Sequence, residues 1–224
     1  MVGDSARAHA SLEQASLELG VIGNCAIAAL IDEAATVSWL CLPRLDGEPV
    51  FNELVGGEGR FSVELNGYAE SHQNYIRNTG VLETILRSED GSAVKVTDFA
   101  PRFFDRGRLF RPASIVRRIE PVGGMPTIKI DLNPQRARGS ETMPSERGVS
   151  HIRYKDPEAG FRITTDAPMS YVLDGRAFVL DSPISFILGP DESLSDNIAV
   201  IAHDWLERTV EHWRGWSRRL GTPA

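Results

Sequence analysis

Arg60-Phe61-Ser62-Val63-Glu64-Leu65-Asn66-Gly67 is the stretch on which the reading of this chain turns. Phe61, Val63 and Leu65 alternate with Arg60, Ser62 and Glu64. A period of two sends alternate side chains to opposite faces of a sheet, so the run is a strand with a buried face. The alternation returns in Ile128-Lys129-Ile130-Asp131-Leu132 and in Ile184-Ser185-Phe186-Ile187-Leu188, with shorter versions at Val94/Val96 and Phe161/Ile163. Asn66-Gly67, Asp90-Gly91, Gly123-Gly124 and Asp174-Gly175 punctuate the runs. Such pairs tolerate the positive φ of tight hairpins and predict antiparallel neighbours. Many short strands so punctuated mean a mainly β fold, a sandwich or a barrel. The alternation places Phe61, Val63, Leu65, Ile128, Ile130, Leu132, Phe186 and Leu188 inside.

Two segments break the pattern. Pro49 to Val55, followed by Gly56-Gly57, reads as a short helix with Pro in its first turn and Gly past its end. From about Asp196 to Leu220 the period becomes helical. Ile198, Ile201, Ala202, Trp205, Trp213, Trp216 and Leu220 share one stripe, while Glu207, Arg208, Glu211, Arg214, Arg218 and Arg219 fall opposite. An apolar stripe with three tryptophans needs a cover, either the sandwich or another surface. Residues 1–16 lack periodicity and are expected to be a disordered tail, and 135–148 reads as a polar loop. The chain therefore divides into a tail (1–16), a β-sandwich (17–194) and a terminal helix (195–224).

Composition narrows the function. Of 224 residues, 42% are apolar, ample for one large core, and the net charge of −7 argues against a nucleic-acid partner. Arginines gather between Arg102 and Arg118, but Asp98, Asp105 and Glu120 interleave with them, as on a solvated strand edge. The two cysteines, Cys25 and Cys41, are far apart and fit free thiols in a reducing compartment, hence a cytoplasmic protein. The N-terminus lacks an apolar signal-peptide core, and no run of about eighteen apolar residues suggests a membrane span.

Catalytic signatures do not assemble. The five histidines lack metal-ligand spacing, Gly56-Gly57-Glu58-Gly59 lacks the frame of a phosphate loop, and no cofactor is expected. A glycosidase carboxylate pair requires geometry that a sequence does not supply. Asp46, Glu48, Asp98 and Asp131 read as turn or strand-face residues. The densest unusual cluster is Trp39-Leu40-Cys41-Leu42-Pro43-Arg44-Leu45-Asp46-Gly47. Arg44 and Asp46 in a loop after an apolar strand, with Trp39 as a stacking face, are candidates to touch sugar hydroxyls. The alternative is that Arg44 and Asp46 fix the loop and Trp39 is core.

Leu19 to Leu54, LGVIGNCAIAALIDEAATVSWLCLPRLDGEPVFNEL, resembles the opening of the N-terminal domain of glycoside hydrolase family 15, the bacterial glucoamylase- and trehalase-like proteins. The likeness continues through Tyr75–Arg102 and Pro112–Pro121, and Thr209–Leu220 resembles the family's linker into its catalytic domain. Leu45 stands where the family has Phe, and Asp32–Thr36 lacks the customary turn glycine. The resemblance implies a large antiparallel β-supersandwich preceding an (α/α) barrel that holds the catalytic glutamates, so it carries no catalytic residue onto this chain. It also implies an inverting α-glucosidase as parent. Trp39, Arg44 and Asp46 then become candidate walls of a substrate site completed by the barrel. Trp205, Trp213 and Trp216 become candidate interdomain contacts, or a self-association surface when the barrel is missing. Two other readings stay open: a carbohydrate-binding module for α-glucosides, and a mutarotase-like enzyme with converging His and Glu.

Overall fold

The computed structural model describes residues 18–136, 141–158 and 160–219; the tail expected over 1–16 and Leu220 lie outside them. The N-terminal part contributes β1 (Gly20–Gly23), β2 (Ala28–Ile31), β3 (Val37–Leu42), β4 (Glu48–Phe51) and β5 (Arg60–Leu65). Next come β6 (Tyr68–Tyr75), β7 (Leu82–Ser88), β8 (Ala93–Phe99), β9 (Phe103–Asp105), β10 (Arg108–Phe110), β11 (Ile115–Gly123) and β12 (Thr127–Asn133). Short strands follow: β13 (Gln135–Arg136), β14 (Glu141–Thr142), β15 (Ser145–Arg147), β16 (His151–Tyr154) and β17 (Phe161–Thr165). Helix α1 (Met169–Leu173), β18 (Phe178–Val179), β19 (Ile184–Gly189) and helix α2 (Ile198–Arg218) complete the described chain. The polar stretch read as a loop over 135–148 thus carries β13, β14 and β15.

Among the described residues, fifteen strands form two large antiparallel sheets, and β9–β10 and β13–β14 form two small ribbons. One has seven strands in the order β1-β2-β3-β5-β12-β18, with β4 also paired to β3. The other has eight, β15-β16-β17-β19-β11-β8-β7-β6. Their inner faces share one core that includes Ile22, Leu40, Phe61, Ile130, Leu86, Val96, Ile119 and Phe186. Phe61 of β5 meets Phe186 of β19 edge-on at 5.2 Å across the interface. The fold is the sandwich the alternation predicts, and the named interior set is buried except Leu132, which is half-buried.

Three further expectations are corrected. The helix near 49–55 shrinks to one 3-10 turn, Glu53–Val55, closed by Gly56 at φ 84°. The residues before it form β4 instead, where Pro49 lies opposite Cys41 at a register shift. Proline has no N–H to give a ladder and is tolerated at such an irregular, peripheral position. Only one of the four turn signals joins sequential partners of one sheet: Asp90-Gly91, with Gly91 at φ 83°, closes the β7–β8 hairpin. Asn66-Gly67 and Gly123-Gly124 carry the chain from one sheet to the other, and Asp174-Gly175 ends α1. Conversely, Cys25 (φ 68°) and Ala35 (φ 63°) turn the β1–β2 and β2–β3 hairpins without glycine. In the second, the Asp32 carboxylate accepts from the N–H groups of Ala34 (3.0 Å) and Thr36 (2.7 Å), which holds the turn.

The third correction concerns the arginines. Arg117 is no solvated edge residue but lies 1% exposed inside the sandwich. Its guanidinium donates from Nε and Nη2 to Asp98 at 2.8 and 3.0 Å, and from Nη1 to the Phe61 carbonyl at 2.7 Å. It also lies 4.7 Å above the Phe61 ring. The pair satisfies two buried charges with one fork and ties β8 and β11 to β5.

Candidate functional site

Trp39, Arg44 and Asp46 are not gathered into one site. Trp39 sits half-buried on β3, opposite Leu30 of β2, while Leu40 and Leu42 of that strand face the core. Its neighbour two positions along the same face is the Cys41 thiol, whose pKa is pushed up by burial and by Glu48, against a hydrogen bond from Trp39. Arg44 and Asp46 lie beyond the strand, in a turn closed by Gly47 N–H donating to the Arg44 carbonyl (3.0 Å). There the guanidinium donates to the carboxylate from Nε (2.9 Å) and Nη2 (2.8 Å), with side chains 75% and 70% exposed. Each therefore occupies the other's hydrogen-bonding groups at the tip of an exposed loop.

Helix α2 brings more together. Asn197 caps it by accepting from the Ala199 N–H (2.9 Å). Ile198 and Ala202 then pack on Val81, Phe99, Val116 and Ile187, the outer face of the eight-stranded sheet. Trp205 lies half-buried against the Phe110 ring at 5.2 Å. Thr209, fully buried, accepts from the Arg102 N–H at 3.2 Å. Trp213 rests on Gly80, where a Cβ would stand 3.3 Å from the indole; a glycine lets the ring lie this close. Trp216, on the same stripe, is 50% exposed, because the helix has by then run past the apolar patch. The stripe read from spacing is thus only partly a docking seam. Arg208, read as part of the charged face, is half-buried: it lies 4.0 Å over the Phe103 ring and pairs with Asp105 at 2.8 Å.

Arg102 is the centre of this region. Its Nη1 donates to the Asn24 carbonyl (2.6 Å), its Nε to His212 Nε2 (3.2 Å), and its guanidinium lies 5.7 Å from the Trp213 centroid. Asn24 in turn donates to the carbonyls of Pro101 (3.0 Å) and Pro112 (2.7 Å) and accepts from Ala26 N–H (2.9 Å). His212 stands between Phe104 (5.8 Å) and Trp213 (5.9 Å). Burial and then the Arg102 and Arg219 charges hold its pKa below the ordinary 6.5, which keeps the imidazole an acceptor for Arg102. Beside these residues opens a groove of about 450 Å³, lined by Arg102, Phe104, Leu109, Trp216, Arg218 and Arg219 among others. Phe104 is 63% exposed on its rim. Aromatic faces and guanidinium donors equip this surface for binding.

Asn24, Arg102, Phe104 and His212 carry this arrangement, and sequence spacing did not single them out. Asn24 and Arg102 are 78 positions apart, a separation that no helical or strand period connects. The available signal was their place in the recognised segments, since Asn24 lies in the first and Arg102 ends the second. Among the described residues no helix is long and apolar enough to cross a membrane. No curated protein matches the chain. The family model described as trehalase-like, N-terminal, matches residues 7–176, from before β1 to just past α1, leaving β18, β19 and α2 beyond the match. This chain belongs to the trehalase-like N-terminal domain family.

Proposed function

We propose that this chain is the non-catalytic N-terminal β-sandwich of a glucoamylase- or trehalase-like α-glucoside hydrolase of family 15, which packs against the catalytic (α/α) barrel of its parent. The chemistry, inverting hydrolysis by an acid–base carboxylate pair, resides in the barrel. Residues 17–194 act as the sandwich and 195–224 as the strut between the domains. The observation that carries this reading is the seating of α2. Its first turns are sealed on the sandwich, while its last turns leave Trp216 and the neighbouring Phe104 open. In this reading Trp205 and Trp213, which rest on Phe110 and Gly80, belong to the sandwich side, and Trp216 lies toward the barrel. The Arg44–Asp46 loop forms part of the wall of the barrel's substrate site, with Trp39 behind it. The free thiols of Cys25 and Cys41 favour a cytoplasmic parent.

The test has two arms. The chain alone should show no turnover of trehalose, maltose or starch, and no heat of binding with trehalose or maltooligosaccharides. Turnover abolished by a single carboxylate substitution would make it an enzyme; binding without turnover would make it a carbohydrate-binding module. In the parent, Arg44→Ala should raise KM or lower kcat with the melting temperature unchanged. Unchanged kinetics would return Arg44 and Asp46 to a purely local role.

A further inference from the structure

The groove beside the end of α2 has a charge character opposite to that of the chain. The protein carries 31 acidic against 24 basic side chains. The groove nevertheless draws Arg102, Arg208, Arg218 and Arg219 around a lining that holds one carboxylate, Glu211. Arg208 is neutralised by Asp105 (2.8 Å) and Asp204 (3.4 Å). Arg102 spends its donors on neutral acceptors, the Asn24 carbonyl and His212, and Arg218 gives Nε to the Arg214 carbonyl. Among the described residues, no ion pair engages Arg102, Arg218 or Arg219. Three guanidinium groups thus face one carboxylate beside apolar surface that is itself open: Phe104 is 63%, Trp216 50% and Leu109 36% exposed.

We propose that this groove seats a carboxylate-bearing, partly apolar segment of the parent's catalytic domain. The inference rests on the packing role proposed above and gives that contact its chemistry. Guanidinium forks match carboxylates two bonds at a time, and the match strengthens as water is excluded. The Phe104 and Trp216 rings supply the apolar area that excludes it. A polyanion is disfavoured by the charge of the whole chain, and a small anion would leave both rings uncovered. The partner surface is therefore mixed, with acidic side chains flanking an aliphatic or aromatic one that lies between the two rings.

The parent chain, with both domains, provides the test. Wild type, Trp216→Ala and the double variant Arg218→Glu/Arg219→Glu are melted in low and high sodium chloride, and the same substitutions are made in the 224-residue chain, sandwich and α2 together, without the barrel. Because both arginines are exposed at the helix end, charge reversal should leave the melting of this 224-residue chain unchanged. Wild-type parent should unfold in one transition at low salt. The charge-reversed parent should lose that coupling and unfold in two, with salt moving the wild type the same way. Two independent transitions in the wild type at low salt would defeat the packing reading and this proposal with it. One transition in the charge-reversed parent at every salt concentration, with Trp216→Ala alone splitting it, would leave the packing reading standing. That outcome would overturn the acidic partner.

Discussion

The two sheets treat their outer faces differently. On the eight-stranded sheet, Phe99, Val116 and Ile187 point outward and, with Val81 just before β7, are sealed by α2. On the seven-stranded sheet, the outward positions of β5 and β12 are Arg60, Ser62, Glu64, Lys129 and Asp131, opposite the core-facing Phe61, Val63, Leu65, Ile128 and Ile130. That face is dressed with ion pairs: Arg60 reaches Asp131 at 2.6 Å and Glu53 at 3.3 Å, and Lys129 reaches Glu64 at 3.0 Å. Burial raises the Glu53 pKa, against the attraction of Arg60. A covered face is held by apolar area, whereas the polar face depends on charges that water screens. The same fold thus contains a stiff, two-layered side and a side able to meet solvent, and substitutions should discriminate between them.

The largest effect is expected where the helix covers the sheet. Ile187→Ala removes buried aliphatic volume beneath α2 and should cost about 2–4 kcal/mol in urea unfolding; a cost near that of a surface substitution would mean the helix is not seated there. Asn24→Ala strips the hub that ties the β1–β2 turn to the carbonyls of Pro101 and Pro112. It should cost about 1–3 kcal/mol, since those carbonyls lose a buried donor. Acid should loosen the helix side. His212 titrates below 6.5 in the folded chain, so the unfolded chain binds the proton first and stability falls as pH drops from about 6.5 downward. His151, also lowered by burial and by Arg162 and Arg153, acts in the same direction. His212→Gln should flatten part of the pH dependence between pH 7.5 and 5.5, and an unaltered profile would remove His212 from the seam. The smallest effect belongs to the polar face, where Arg60→Ala should cost less than about 1 kcal/mol, and less still in high salt.

Residue by residue, the outcome depends on whether a signal is local. Phe61/Val63/Leu65 and Ile128/Ile130/Leu132 are legible because alternation records which side of one strand meets the core. Phe186-Ile187-Leu188 obeys the same rule less simply. Phe186 and Leu188 face the core and Ile187 lies under α2, so the uninterrupted apolar triplet is the trace of burial on both faces. Arg117 is not legible from its neighbours because its partner Asp98 is reached only across the β8–β11 ladder, and its third acceptor lies in the opposite sheet. In the candidate site, Trp205, Trp213 and Trp216 were legible as one stripe, but their different exposure was not.

By itself the sequence determined the alternating strands β5, β8, β12, β17 and β19, the antiparallel sandwich, the long terminal helix and, through the opening motif, the family. These follow from periodicity, turn chemistry and contiguous pattern, which act over a few residues. Tertiary structure alone decided that Asn66-Gly67 and Gly123-Gly124 cross between sheets. It also decided that Arg44 and Asp46 bind each other, and that Arg102 joins Asn24 to His212 beside the Trp216 groove. A turn dipeptide sets backbone angles but not the sheet that receives the next strand. A charged side chain likewise takes whichever partner the packing of distant strands brings within about 3 Å.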